Sequence, residues 1–158
     1  MAMNLPSERL PVIAALDPLA GTTQTGTGSS GDHYTDIIDM SKFRQAMFVV
    51  NLGAFGTSAS LAITLVEAAT SYVSLGTTVS GKTATALTEA GSDDNKQVVL
   101  NLNQIEMTAT YKWAACKMVL TVGSGYLSTI GIGYDPRYAE PWTTISWGDL
   151  SSVDEIVT

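Results

Sequence analysis

The strongest constraint on the fold of this chain is a period-two alternation of apolar and polar residues across residues 95–121. Successive side chains of a β-strand point to opposite faces, so the pattern predicts two strands joined by a turn, each with one buried face. The apolar set of the first strand is Val98, Leu100 and Leu102. The apolar set of the second strand is Ala114, Cys116, Met118, Leu120 and Val122.

Similar patterns predict further strands along the chain. They lie at residues 34–40, 45–52, 60–68, 83–88 and 126–134, with a short edge strand at 12–16. Gly131 and Gly133 are expected to mark a bulge in the last strand. Roughly eight strands at this spacing are typical of sandwiches and jelly rolls. The sequence therefore predicts an all-β fold, a jelly-roll-like antiparallel β-sandwich.

The positions of the prolines divide the chain into three parts. They lie only near the two ends, at Pro6, Pro11, Pro18, Pro136 and Pro141. Proline removes a donor from the hydrogen-bond ladder, so the proline-free middle fits a sheet body. We predict an N-terminal arm at 1–33 that includes a flexible polar loop at 21–31, a body at 34–138 and a C-terminal tail at 139–158.

Charge and cysteine content limit the partners and the chemistry. The formal net charge is −7 and no basic cluster is present, so nucleic acid is not expected as a direct partner. The one cysteine, Cys116, excludes an internal disulfide. Because it falls on the apolar face of a strand, we expect a small buried side chain rather than a nucleophile.

The N-terminal residues do not read as a signal peptide, because Glu8 and prolines stand where an apolar run would be. Residues 45–66 carry no charge and are long enough to raise the question of a membrane span. Glycines and polar residues interrupt the segment, and its period is two on both sides of the glycines. It therefore predicts two buried strands with a turn, and no membrane partner.

Motifs that could bind a cofactor or metal are incomplete. Gly26, Gly28 and Gly31 have the G-x-G-x-x-G spacing, but no strand is predicted before them and no helix after them. Residues 81–83 (Gly-Lys-Thr) lack the rest of a phosphate-binding loop. Residues 93–95 (Asp-Asp-Asn) fit a polar hairpin turn better than a calcium site. We therefore expect no cofactor.

His33 is the only histidine, and its neighbours predict a solvated loop position. One imidazole cannot form a zinc site alone. The sequence contains no Ser-His-Asp order, no G-x-S-x-G elbow and no nominated carboxylate pair. We therefore expect a protein that is not an enzyme.

Several segments together resemble a known group of proteins. They are YTDIIDMSKF, ALTEAGSDDNKQVVLNLNQIE, YKWAACKMVLTVG and GIGYDPRY, within a resemblance that spans about residues 11–140. The chain resembles small capsid-associated structural proteins of tailed bacteriophages, the head decoration or cement proteins. The resemblance implies a virion location on the capsid exterior, the major capsid protein as partner, and self-association, with a trimer favoured.

The predicted assembly contacts lie in the arm and in the tail, outside the strongest strands. They are Pro11, Val12, Ile13, Trp142, Trp147 and Ile156. Two alternatives stay open at this point. One is a tail or neck component of the same virion. The other is a carbohydrate-binding β-sandwich module that stacks sugars on Tyr72, Tyr111, Trp113, Tyr126, Trp142 and Trp147.

Overall fold

The computed structural model describes residues 12–22, 32–70, 76–121 and 124–136. Side chains are described for residues 32–70, 76–121 and 125–135. Of the predicted assembly contacts, Val12 and Ile13 are described by their backbone alone. Pro11, Trp142, Trp147 and Ile156 lie outside the described residues, as do Tyr72 and the glycines at 26, 28 and 31.

Ten strands and one short 3₁₀ helix, Gln104–Glu106, form the described part of the chain. The strands are β1 Val12–Thr22, β2 Asp32–Tyr34, β3 Ile38–Asp39, β4 Phe43–Phe55, β5 Ser60–Ala68, β6 Thr77–Thr83, β7 Leu87–Thr88, β8 Gln97–Asn103, β9 Trp113–Thr121 and β10 Ser124–Pro136. They make two antiparallel sheets.

Sheet A has the strand order β1-β10-β4-β8. Sheet B has the order β2-β9-β5-β6, with β3 also pairing β9 and β7 pairing β5. Every strand that pairs within sheet A is distant in sequence from its neighbours. The prediction of an all-β antiparallel sandwich is confirmed.

The inward faces of four strands form the core between the sheets. Ala46, Phe48 and Val50 of β4 are buried, and so are Leu61, Ile63 and Leu65 of β5. Leu100 and Leu102 of β8 and the alternate residues 114, 116, 118 and 120 of β9 complete the same layer. Each fully buried large side chain contributes about 1.5–3 kcal/mol to folding. The predicted buried faces are thus confirmed for the described residues, whereas Val122 lies outside them. The strand-turn-strand prediction for 45–66 is also confirmed.

The strands at the two ends of residues 95–121 are confirmed, but they are not neighbours. β8 pairs β4 in sheet A, and β9 pairs β5 in sheet B. The connection is longer than a turn, because the 3₁₀ helix follows β8 and the chain then crosses to the other sheet. Asn103 caps this helix with its side chain and accepts from the Ile105 amide at 3.2 Å.

Two predicted strands are wrong in their bounds. The strand at 34–40 is interrupted after Tyr34. The Thr35 amide still donates to the Cys116 carbonyl at 3.0 Å, but the Cys116 amide donates to Thr35 Oγ1 at 3.0 Å, so a side chain takes the place of a backbone acceptor. The strand at 83–88 is also wrong, since β6 ends at Thr83 and only Leu87–Thr88 follows. The register of β6 on β5 shifts between Thr64 and Val66, around Gly81 at φ 73°. That left-handed backbone suits glycine and produces the irregularity.

The edge strand predicted near the N-terminus is confirmed and extends further, to Thr22. Residues 1–33, predicted as an arm, therefore include an edge strand of the sandwich. The register of β1 on β10 shifts between Leu16 and Leu19, so Pro18 lies in a bulge on an edge strand, where proline is tolerated. The pairing of β10 with β4 is regular at Gly131 and Gly133 and shifts only between Gly125 and Leu127. The pairing of β1 with β10, however, shifts between Val12 and Ala14, opposite Ile132 and Gly131, so an irregularity occurs beside Gly131 and none at Gly133.

A buried carboxylate ties β5 to the loop after the 3₁₀ helix. Glu67 is 2% exposed, and its oxygens accept from the Thr108 amide at 2.9 Å and from Thr108 Oγ1 at 2.5 Å. A buried charge needs such donors to offset its lost hydration. The pair therefore fixes the point where the chain crosses from sheet A to sheet B.

We expect the Thr108→Val variant to lose about 1.5–3 kcal/mol of unfolding free energy, because a buried carboxylate would lose a charge-assisted hydrogen bond. Urea unfolding at neutral pH measures the loss. The exposed Thr110→Val variant is the matched control, with an expected change within about 0.5 kcal/mol. Equal losses in the two variants would contradict a role for the Glu67–Thr108 pair.

Candidate interaction surface

The outward side chains of sheet A form a face with little charge, which we name the outer face. Strand register arranges it in four rows that run across β10, β4 and β8. The rows are Ser128–Asn51–Gln97, Ile130–Val49–Val99, Ile132–Met47–Asn101 and Tyr134–Gln45–Asn103. These twelve residues include no acidic or basic side chain.

Large apolar side chains on this face are exposed. Tyr126 is 62% exposed, Tyr134 54%, Val99 50% and Ile130 42%. Gln97 Nε2 donates to Asn51 Oδ1 at 2.7 Å, so the polar row is ordered by its own hydrogen bond. A contiguous exposed apolar patch on a protein surface usually marks an interaction site. The outer face is therefore the first candidate for contact with a partner.

A groove of about 350 Å³ lies at one end of the outer face. Met47, Ile132 and Tyr134 supply apolar lining, and Gln45, Asn101 and Asn103 supply amides. Its far side is closed by an ion pair in which Lys82 Nζ lies 2.8 Å from Glu106 Oε2. The hydrogen bond from Lys82, followed by that from the Asn103 amide, lowers the pKa of Glu106.

The free edges of the two sheets differ. The β1 edge carries two register shifts and Pro18, the β2 edge is short, and the β6 edge is distorted around Gly81. Such devices protect an edge against pairing with another strand. β8 pairs β4 without a register shift over seven residues, Gln97–Asn103, and contains no charged residue and no proline. Among the described strands, β8 is the edge best suited to accept another strand.

The first and last described strands lie next to each other. β1 pairs β10 with Val12 opposite Ile132, and β10 ends four residues later at Pro136. The described chain thus enters sheet A and leaves it at the same end of the sheet. This is also the end that carries the groove, because Ile132 and Tyr134 line it.

Cys116 is fully buried on the inner face of β9, as predicted. Burial raises the pKa of its thiol to about 12, well above the range in which a cysteine acts as a nucleophile at neutral pH. The folded state therefore holds this proton more tightly than the unfolded state. The resulting stability is present below about pH 8.5, the ordinary thiol pKa, and is lost as the pH rises toward 12.

We expect Cys116 to resist a thiol reagent at pH 8 in the native protein and to react at once in denaturant. The kinetics of colour release by an aromatic disulfide reagent measure this. A variant with Ser80→Cys, at an exposed position of β6, is the positive control and should react without denaturant. Native labelling of Cys116 at the rate of the control cysteine would contradict its burial.

The prediction of a solvated loop position for His33 is wrong. His33 lies in β2 opposite Met118, an inward-facing core residue of β9. Its Nε2 atom is buried and has no hydrogen-bond partner among the described residues. The aspartates nearby suggested a polar loop. The ring instead lies on the side of β2 that faces inward, because His33 is opposite the inward-facing Met118.

The polar turn predicted at residues 93–95 is confirmed. Asp93 accepts from the Thr88 amide at 2.9 Å and pairs with Lys96 at 2.8 Å, and Asp94 accepts from the Phe55 amide at 2.7 Å. The Lys96 hydrogen bond, followed by that of Thr88, lowers the pKa of Asp93. Both carboxylates therefore hold the turn against neighbouring strands.

The three described aromatic residues that were considered for sugar stacking, Tyr111, Trp113 and Tyr126, do not form one platform. Tyr111 and Trp113 are half-buried, with Tyr111 packed against the core and Lys112 Nζ 5.4 Å from the centre of the Trp113 ring. Tyr126 is exposed on sheet A. Among the described residues, no group of three His, Cys, Asp or Glu side chains could hold a metal ion. No helix in the described ranges is long and apolar enough to cross a membrane.

Sequence reasoning missed the outer face and the β8 edge. A signal was present, because Val49, Val99 and Ile130 occupy the outward phase of their strands, where polar residues are usual. Their convergence in one row depends on the strand order of sheet A, which the alternation does not reveal.

Comparisons with protein-family models, with curated proteins and with solved structures found no match.

Proposed function

We propose that this protein is a non-enzymatic virion structural protein that binds the exterior of a bacteriophage capsid and cements the major capsid subunits against internal DNA pressure. The resemblance over residues 11–140 suggests this role, with a homotrimer as the favoured assembly. The sandwich and its exposed, uncharged outer face are compatible with a module that works by contact rather than by chemistry.

The observation that carries the proposal is the position of the two chain ends. Val12 and Pro136, the first and last residues that the structure describes, lie at the same end of sheet A. Two segments that leave a body side by side can reach neighbouring subunits of a lattice together. Extended segments wrap large surfaces when they bind, which suits a clamp.

The energetic logic is linkage. A module that spans several capsid subunits binds only the lattice in which those subunits have the right spacing. If this protein binds the expanded shell and not the unexpanded one, its binding stabilises the expanded state. The stabilisation grows with the logarithm of the protein concentration divided by the dissociation constant. The net charge of −7 argues for recognition of protein rather than of packaged DNA.

The test is the mass of the purified protein by light scattering, followed by co-sedimentation with expanded and with unexpanded capsid shells. We expect a trimer that pellets with expanded shells only. A ring of six or twelve subunits that ignores shells would support a neck or tail component. A monomer that ignores shells but binds glycans through Tyr126 would support the carbohydrate-binding alternative.

A further inference from the structure

We propose that β8 is a self-association edge that pairs antiparallel with β8 of a second copy of this chain, across a two-fold axis. The contact joins the two copies of sheet A into one continuous sheet. The edge is Gln97–Asn103, which no described strand covers. The inference goes beyond the proposed function, because a two-fold contact is distinct from a three-fold assembly and does not require a capsid.

Two hydrogen bonds near the ends of β8 show which backbone groups face its free edge. The Leu52 amide of β4 donates to the Lys96 carbonyl at 2.9 Å, so even-numbered residues direct their backbone groups toward β4. The Asn103 amide donates instead to Glu106 Oε2 at 2.8 Å. Because these directions alternate along an antiparallel strand, the N–H and C=O groups of residues 97, 99 and 101 point to the free edge.

This alternation gives a register in which the edge is complementary to itself. With Leu100 on the two-fold axis, Val99 stands opposite Asn101 of the second copy, and Gln97 stands opposite Asn103 of the second copy. All of these partners of Leu100 are odd-numbered, so the free N–H and C=O groups of one copy meet those of the other. Among the registers that match odd with odd residues, this one overlaps all seven residues of β8.

The side chains that this register brings together also match. On the inner face Leu100 meets its own copy and Val98 meets Leu102, so apolar groups at the border of the core gain an apolar neighbour. On the outer face Val99, which is 50% exposed, stands beside Asn101 of the second copy. Because Asn101 lines the groove, Val99 of the second copy extends the apolar lining there.

The distribution of charge favours a second copy at this edge. The chain has a net charge of −7, so contacts between two copies are generally opposed by repulsion. β8 has no charged residue, so no like charges stand opposite each other in the pair. Beyond its ends, Asp93 pairs with Lys96 at 2.8 Å and Glu106 pairs with Lys82 at 2.8 Å. Each of these two carboxylates therefore approaches the second copy with its own lysine.

The size of the contact sets its strength. One strand from each copy makes an interface below the about 1,200 Å² at which stable complexes begin, so we expect a dissociation constant on the order of 0.1 mM. Such a contact is sparsely populated in dilute protein and forms where copies are concentrated. It adds to any cyclic assembly, so the mass measured in dilute protein is expected to double as the concentration rises.

Sedimentation velocity of the full chain, over concentrations that bracket this constant, measures the association. Val99→Pro removes an N–H group that faces the free edge and leaves the ladder with β4 intact. Val99→Thr keeps that group and is the matched control. We expect the parent chain and Val99→Thr to associate alike, and Val99→Pro to associate at least about tenfold more weakly, because the donor is lost in both copies. Equal association of the two variants, or a parent chain whose mass stays constant, would overturn the proposal.

A disulfide trap tests the register with exposed positions and does not depend on the proline variant. Val99→Cys and Asn101→Cys chains, one of them carrying a mass tag, are oxidised separately and as a mixture. In the mixture the two cysteines stand directly opposite, at about 5.5 Å between Cα atoms, which a disulfide can span. In either chain alone they are diagonal neighbours at about 7–8 Å, which a disulfide does not span without backbone movement. The native Cys116 is buried.

We expect a tagged–untagged cross-link in the mixture at a yield at least about tenfold above that of either chain alone. Equal yields in the three reactions, or no cross-link in any of them, would overturn the two-fold pairing. Protection of β8 amides from hydrogen exchange by expanded shells, in a chain that does not associate with itself, would identify a capsid strand as the occupant and would also overturn it. The sedimentation and cross-linking measurements involve no shell, so their failure is distinguishable from failure of the proposed function.

Discussion

A chain that ends at Tyr138 is expected to keep its β-sandwich and to lose its binding to expanded capsid shells. Every described member of the hydrophobic core lies between Ile38 and Leu127, so the deletion of residues 139–158 removes none of them. The deleted residues include three predicted assembly contacts, Trp142, Trp147 and Ile156. Loss of even one interface hot spot, at about 2 kcal/mol, weakens binding about 30-fold.

Circular dichroism with urea unfolding measures the fold, and co-sedimentation with expanded shells measures the binding. The matched control replaces residues 139–158 by the same residues in shuffled order, which keeps length and charge. We expect the shuffled chain to fail in sedimentation as the truncated one does. If the truncated chain were unfolded, the tail would be needed for folding, which would contradict a role in assembly alone. If the truncated chain kept its full binding to shells, the N-terminal arm at 1–33 would be the segment that contacts the capsid.

The Phe48→Ala variant is expected to lose about 3–5 kcal/mol of unfolding free energy. Phe48 is fully buried in the centre of β4, the strand that pairs both β10 and β8. Its removal leaves a cavity between the two sheets, and regular pairing with β10 and β8 around Phe48 limits how far β4 can move to fill it. This loss is a large fraction of the stability of an ordinary domain.

Urea or thermal unfolding checks the expectation. Val99→Ala on the outer face of the neighbouring strand is the control, since Val99 is half exposed and its truncation should cost less than about 1 kcal/mol. If the two variants lost similar free energy, the inner face of sheet A would not be the core. Val99→Ala also leaves the tail intact, so its shell binding can be compared with that of the truncated chain.

The inner faces of the long strands could be predicted from the sequence because burial repeats with period two. Leu100 and Leu102 were placed on a buried face by that rule alone. The short strands β3 and β7 could not be predicted in this way, because a strand of two residues is too short to show an alternation of buried and exposed positions. The interruption at Thr35 depends on a bond to Cys116, 81 residues away. Local pattern contains no information about such a partner.

The candidate surface was predictable only in part. Cys116 was correctly expected to be buried, whereas His33 was expected in solvent and lies on an inward position of β2. The outer face combines residues from β4, β8 and β10, which are far apart in sequence. Which outward residues lie side by side on such a surface depends on which strands are neighbours. Alternation within one strand does not predict its neighbouring strands.

The position of β10 has a consequence for synthesis on the ribosome. It is the last described strand to be made, yet it stands between β1 and β4 in sheet A. Until it emerges, β1 has no partner in that sheet and one edge of β4 is unpaired. Protein synthesis adds about 5–20 residues per second, so these strands wait several seconds for β10. The nascent chain therefore exposes unpaired strand edges until β10 completes sheet A.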